Sequence, residues 1–186
     1  MKETMVQFSG PKTDRTGGHG MPRASRYRFD ILRGEDIPGV NPVCDRFHAY
    51  WWAIKPPMGL PRRQDIKMAE LRRHSAHAVI LDIEGGHCFE QTFTLRVRLI
   101  GTAVAEHYGE ITGRDVADMD NQGSARRIYY ACGLAIEARE PLMSITHAFS
   151  PDAPYKDVFA IFLPLGNEKG EVSKILIAAA VRYFTG

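Results

Sequence analysis

Histidine and cysteine are the residue types in this chain best suited to bind a metal ion. The chain has 7 His and 3 Cys, and the closest mixed pair is His87 beside Cys88. A zinc site needs four converging ligands, commonly in closely spaced pairs. Adjacent side chains of a strand point to opposite faces, so His87 and Cys88 would diverge. The spacing therefore predicts no metal site.

The serine and cysteine residues lack the sequence context of a catalytic nucleophile. Ser124, Ser144 and Ser173 are not in a Gly-x-Ser-x-Gly turn, and no activating motif accompanies the cysteines. Gly85-Gly86 lacks the lysine and the spacing of a phosphate-binding loop. We therefore expect no catalytic residues and interpret the protein as a non-enzyme.

The composition is that of a globular protein with one hydrophobic core. Of its 186 residues, 25% are charged and 44% hydrophobic, and the formal net charge of +2 is too small to predict a nucleic-acid partner. Cys44, Cys88 and Cys132 are odd in number and far apart, which is typical of reduced thiols. The sequence shows neither an apolar signal core nor a membrane-spanning run. We expect a cytoplasmic protein that does not bind membranes.

Hydrophobic patterning divides the chain into a flexible N-terminal tail, residues 1–40, and a single domain, residues 41–186. Residues 9–28 are rich in Gly, Pro, Thr and Arg and show no hydrophobic period. The first helix is predicted over 42–55, where apolar residues recur at helical spacing after an Asn-Pro start signal.

The elements that follow predict an α+β fold. Further helices are predicted over 67–73, 102–109, 116–119 and 123–140. Strands are predicted over 78–84, 88–100, 142–149, 156–165 and 172–183. The first two strands form a hairpin through Glu84-Gly-Gly-His87. We therefore expect a five-stranded antiparallel sheet with helices on one face and an N-terminal flanking helix.

Several short motifs accompany this order of elements. They are Tyr50-Trp51, Leu60-Pro-Arg-Arg63 with Asp65-Ile66, Arg98-Leu-Ile-Gly-Thr102 through Gly109, Thr112-Gly113-Arg114, and Leu163-Pro-Leu165 followed by Gly170. Together they resemble the PAS domain over about residues 45–183, and in particular the short stand-alone bacterial PAS family. The resemblance implies a ligand-sensing or dimerising module for signal transduction, with no catalytic set to transfer. We expect no output domain in this chain.

Two cofactors that some PAS domains carry are disfavoured by this sequence. His107 and His147 are the candidates for a heme ligand, although a lone histidine is more often a hydrogen-bonded structural residue. The Asn-Cys-Arg-Phe signature of flavin photochemistry is missing, and Cys132 lies in the long helix without it. The sequence therefore requires no cofactor.

The predicted pocket lies between the sheet and the helices that cover it. Tyr129, His147 and Thr146 are polar candidates for orienting a ligand. The lining residues are predicted to be Leu95, Val97, Leu99, Val104, Tyr108, Ile128, Tyr129, Cys132, His147 and Ile161. A filled hydrophobic core built from the same positions is the alternative.

The first helix is the expected contact surface for a homodimer or a regulatory protein partner. Trp51 and Trp52 are adjacent and must point in different directions, so one of them needs cover from outside the core. Phe47 and Tyr50 complete the predicted surface. A tryptophan lying flat on its own domain is the alternative. We expect a PAS-like sensor; a small α+β enzyme acting on an apolar substrate in the same cavity is the alternative function.

Overall fold

A mixed arrangement of four helices and an antiparallel sheet is seen in the computed structural model, which describes residues 26–150 and 153–184. The strands are β1 (Arg26–Arg33), β2 (Ala78–Cys88), β3 (Gln91–Ile100), β4 (Leu142–Ser150), β5 (Ala153–Gly166) and β6 (Val172–Tyr183). They form one six-stranded sheet in the order β1-β4-β5-β6-β2-β3. Every pairing is antiparallel. The predicted α+β class is confirmed.

Helices lie on both faces of the sheet. They are α1 (Pro42–Ile54), α2 (Met68–Leu71), α3 (Thr102–Tyr108) and α4 (Gln122–Ala138). We call the face against α1 and α2 the α1 face and the face against α3 and α4 the α4 face. Alternation along the strands divides the apolar side chains between two core clusters, one on each face.

Helix α1 begins and ends where the sequence predicts. The Asn41 side chain accepts hydrogen bonds from the backbone N–H groups of Val43 and Cys44, at 3.0 and 3.2 Å, and Pro42 occupies the first turn. The helix is not a flank outside the core, however. Trp51 is fully buried on the α1 face, and its Nε1 donates a hydrogen bond to the carbonyl oxygen of Pro164 at 3.0 Å.

The predicted flexible tail, residues 1–40, includes residues that belong to the folded domain. Residues 1–25 lie outside the described residues, but Arg26–Arg33 form β1, which pairs with β4 at the edge of the sheet. This strand accounts for the sixth member of the sheet. Its apolar residues, Phe29, Ile31 and Leu32, make too short a run to reveal a strand period beside an arginine-rich segment.

The hairpin between β2 and β3 turns later than predicted. Strand β2 continues through Gly85 and Gly86, and the turn is made by Phe89 and Glu90, both at positive φ. Two residues at positive φ match the twist of a tight hairpin. A register irregularity between Gly85 and Cys88 absorbs the glycines within the strand.

Candidate functional site

A cavity of about 380 Å³ lies on the α4 face, between α4, the end of α3, and strands β1, β4 and β5. Its sheet wall follows directly from strand alternation. Ser144 and Thr146 of β4 pair with Ala160 and Val158 of β5, and these four residues line the cavity. Phe162 extends the same row.

The helical wall of the cavity comes from one side of α4. Ser124, Arg127 and Ile128 are spaced by three and four positions, which places them on a common face of the helix. The Asn121 side chain caps the helix by accepting a hydrogen bond from the Ser124 N–H at 2.9 Å. The Arg127 guanidinium donates to the Ser124 hydroxyl at 3.0 Å. The cap therefore fixes the helix end that borders the cavity.

The rim of the cavity carries titratable side chains. His107 and Tyr108 come from the last turn of α3, and Lys156 comes from β5. Burial lowers the pKa of His107, and the charge of Lys156 lowers it further. Burial raises the pKa of Tyr108 against the opposing effect of the Arg127 charge. The cavity therefore combines an apolar floor with charged and hydroxyl groups.

A family model described as PAS domain matches residues 41–179 of the chain. The chain belongs to the PAS domain family. PAS domains are in general sensory or regulatory modules. Neither the curated proteins nor the solved structures include a match to this chain.

Two of the ten predicted pocket residues of this PAS domain, Tyr108 and Ile128, line the cavity. Thr146, expected as a polar ligand contact, lines it as well. Five others lie on the same face but within the packed core: Leu95, Val97, Val104, Tyr129 and Cys132. These five form the filled part of the α4 face rather than the cavity.

Tyr129 holds the filled part of the α4 face together. Its hydroxyl accepts a hydrogen bond from the Leu95 N–H at 2.9 Å and donates to Asp115 Oδ1 at 2.7 Å. Burial, followed by the hydrogen bond to Asp115, raises the pKa of Tyr129. The ring stacks on Phe93, with ring centroids 5.8 Å apart. Tyr129 therefore lies in the packed core and does not line the cavity.

Leu99 and Ile161 lie on the opposite face from the one predicted. Strand β3 is irregular between its pairings of Val97 with Leu81 and Leu99 with Ile80, so Arg98 is an extra residue there. This bulge turns Leu99 onto the α1 face. In β5 the odd-numbered residues, including Ile161, face α1. Apolar residues occupy both faces of this strand, so the sequence pattern does not show which face Ile161 takes.

His147 also lies away from the cavity. On the α1 face, its Nδ1 is 2.6 Å from Asp157 Oδ1, and its Nε2 is 3.5 Å from Asp30 Oδ2. Arg182 donates a hydrogen bond to the second Asp157 oxygen at 2.8 Å. His147 thus belongs to a polar cluster that joins β1, β4, β5 and β6, and it does not line the cavity.

Sequence reasoning missed most of the cavity's polar residues. Ser144 and Arg127 gave a usable signal, because Ser144 and Thr146 alternate with apolar residues in β4 and Ser124 and Arg127 are three positions apart in α4. The pocket was instead predicted from apolar alternation, which marks the filled core equally well.

The predicted contact surface of α1 is reduced to one of its four residues. Phe47, Tyr50 and Trp51 are buried inside the chain itself, whereas Trp52 is 48% exposed. The Trp52 indole packs edge-on against Trp51 with ring centroids 5.0 Å apart, and its Nε1 donates to His48 Nε2 at 3.0 Å. The tryptophans therefore divide, as their adjacency requires, between core and surface.

The described residues give no indication of two other features. No group of three or more His, Cys, Asp or Glu side chains among them is arranged to hold a metal ion. No helix in residues 26–150 and 153–184 is both long and apolar enough to cross a membrane.

Proposed function

We propose that this PAS domain is a sensor that binds a small molecule in the 380 Å³ cavity and signals through contacts with a second copy of itself. The observation that carries the proposal is the composition of the cavity walls. Ser144 and Thr146 are 4% and 8% exposed, and both line the cavity together with apolar residues such as Val158. Polar groups in such a position are typical of a small-molecule site.

A ligand in the cavity would contact elements that connect it to the rest of the fold. Its walls belong to α4 and to β4 and β5, so a ligand between them contacts two layers of the domain. Strands β4 and β5 carry α1 on their other face. A ligand shifts this arrangement only if it binds two states of the domain with different affinities.

Native mass spectrometry of the freshly purified full chain tests the binding proposal, with its absorbance spectrum as a second readout. We expect the wild-type protein to carry a bound mass and Ala160→Phe to lack it, because the added ring fills the cavity. A wild-type protein with no bound mass contradicts the proposal. Retention of the same mass by Ala160→Phe places the molecule elsewhere and contradicts it too.

The exposed side of α1 is the proposed contact surface between two copies. Trp52 lies between the small exposed residues Ala49 and Ala53, which leave the indole accessible. Large exposed aromatic residues are typical of protein–protein contacts. We propose that the homodimer forms through this strip and that a regulatory protein partner could use the same residues.

Light scattering tests the dimer. Trp52→Glu should convert a dimer to a monomer, because the substitution places a charge at the contact. Met58→Glu is the matched control, since Met58 is 89% exposed but lies in the loop after α1. A wild-type monomer, or a dimer that survives Trp52→Glu, rules out this contact.

The free thiols support a cytoplasmic location for the sensor. Cys44, Cys88 and Cys132 are all unpaired. Burial raises the pKa of Cys44 to about 12, and burial raises the pKa of Cys132 as well. Buried neutral thiols are poor nucleophiles, so Cys44 and Cys132 act as core residues.

One observation favours the alternative function, a small enzyme working in the same cavity. Burial keeps the pKa of His107 low, so a neutral imidazole that could accept a proton lies at the rim. Its Nδ1 is 3.5 Å from the Tyr183 hydroxyl. Turnover of the molecule found by mass spectrometry, abolished in His107→Gln, would support the enzyme over the sensor.

A further inference from the structure

Cationic side chains enter the cavity from two opposite walls. Arg127 projects from α4 and Lys156 from β5. Asp120 is the one carboxylate of the described residues that borders the cavity, and it is exposed. The low pKa of His107 leaves that imidazole neutral at physiological pH. The cavity therefore has a net positive charge.

Lys156 has no ion-paired carboxylate among the residues that the structure describes. Its charge nevertheless reaches the cavity rim, because it lowers the pKa of His107. The Arg127 charge acts on Tyr108 in the same region. Both charges thus act on the space that a ligand would occupy.

Hydroxyl groups on the sheet wall could complete an anion site. Ser144 and Thr146 line the cavity, and within residues 26–150 and 153–184 neither hydroxyl is hydrogen-bonded to the chain. Both hydroxyls are accessible from the cavity, because no fully buried side-chain oxygen of the described residues lacks a hydrogen-bond partner. A hydroxyl can donate to a carboxylate or phosphate oxygen, and such bonds are stronger than those between neutral groups.

The first turn of α4 adds a smaller positive contribution. Asn121 and Ser124 at this end of the 17-residue helix border the cavity. Helix N-termini carry a partial positive charge and stabilise nearby anions. Apolar residues occupy the remaining wall, with Phe29, Val158 and Phe162 from the sheet. This wall would accommodate the hydrocarbon part of a ligand.

We propose that the cavity selects a small organic anion, whose carboxylate or phosphate group is held between Arg127 and Lys156 and whose apolar body packs against the sheet wall. This inference rests on the proposed binding function and narrows it to one class of ligand. A neutral molecule of the same shape would bring no negative charge to the two cationic side chains.

Three probes with the same phenyl ring separate charge from shape: benzoate, phenyl phosphate and benzamide. Two-dimensional ¹⁵N NMR titrations of the full chain give the affinity and show which amide signals shift. We expect at least one of the two anions to bind at least tenfold more tightly than benzamide, with shifts in α4 and β5 around the cavity. The comparison of benzoate with phenyl phosphate distinguishes a carboxylate ligand from a phosphate ligand.

Charge-removing variants test the two cations separately. Arg127→Met and Lys156→Met should each weaken binding of the preferred anion about tenfold and leave benzamide binding unchanged. Lys169→Met is the matched control, because it removes the same charge from the exposed turn between β5 and β6. It should change none of the three affinities; an equal loss of anion binding in Lys169→Met contradicts a local cation site.

The failure of this inference differs from the failure of the proposed function. Cavity shifts with equal affinity for benzamide and both anions would overturn selection for an anion and leave the cavity as a binding site. Absence of cavity shifts with all three probes would overturn both. Shifts that persist in Ala160→Phe would place the binding elsewhere and would also overturn both.

Discussion

The two faces of one sheet are filled in different ways. On the α1 face, Phe47 and Trp51 are fully buried against apolar strand residues. On the α4 face, Ser124, Arg127 and Ile128 of the helix and Ser144 and Thr146 of β4 border the cavity. Large apolar side chains close the first layer, whereas polar and half-buried side chains border free space in the second.

Because the two faces differ in packing, they should differ in their contribution to stability and in the space they leave for a ligand. A closely packed layer resists both enlargement and removal of side chains. A layer with a cavity tolerates added volume, because free space is already present. The α1 face is thus the more closely packed one, and the α4 face contains the cavity.

Truncation of Phe47 is expected to give the largest effect. Phe47→Ala removes a fully buried ring from the α1 face and should lower the free energy of unfolding by about 3–5 kcal/mol. Ile128→Ala removes a half-buried side chain that borders the cavity, so its cost should be smaller, less than about 2 kcal/mol. Urea denaturation of both variants measures the difference. Equal losses would mean that the two faces contribute alike.

Replacing one alanine on each face with leucine tests how much added volume each face tolerates. Ala178→Leu adds volume beside Cys44 of α1, where the thiol donates to the Ala178 carbonyl oxygen, and overpacking should cost about 1–3 kcal/mol. Ala160→Leu adds the same volume toward the cavity and should change the free energy of unfolding by less than about 0.5 kcal/mol. Thermal and urea unfolding measure both. A destabilisation by Ala160→Leu as large as that by Ala178→Leu would show that the cavity cannot accept a side chain.

Most of the elements could be predicted from the sequence because their signals are local. Helix α1 follows from a cap at Asn41 and a stop at Pro56, and β6 occupies the residues predicted for it, Val172–Tyr183. The assignment of residues to faces is a tertiary property. Leu99 lies on the α1 face because of a bulge at Arg98, and the hydrophobic pattern of the strand does not reveal such a bulge.

The cavity could not be predicted from the sequence for a related reason. Helices cover both faces of the sheet, so β4 and β5 carry buried residues at consecutive positions and Ile161 fits either face. The choice between filled core and cavity depends on summed side-chain volumes across two elements. The apolar pattern from which the pocket residues are predicted contains no information on those volumes.

Charges at the edge of the α1 face provide the smallest expected effect. Asp82 accepts hydrogen bonds from Lys174 and Arg98. Burial alone would raise the pKa of Asp82, but the hydrogen bonds and charges of these two partners outweigh burial and lower it below its ordinary value of 3.8. The Asp82 carboxylate is thus paired within the fold, whereas Lys156 in the cavity has no ion pair within residues 26–150 and 153–184.

The pH dependence of stability follows from the direction of that shift. Because the pKa of Asp82 is lower in the folded chain than in the unfolded chain, its contribution is present above about pH 4 and is lost as the pH falls through the folded value. Asp82→Asn should remove this part of the fall in unfolding free energy at low pH. The expected size is less than about 1 kcal/mol for a pair near the surface. Lys174→Met should reduce it partially, since Arg98 remains as a partner. Urea unfolding at pH 3 to 7 measures how the free energy of unfolding of each variant changes with pH. An unchanged pH dependence in Asp82→Asn would show that the paired Asp82 carboxylate does not stabilise this face.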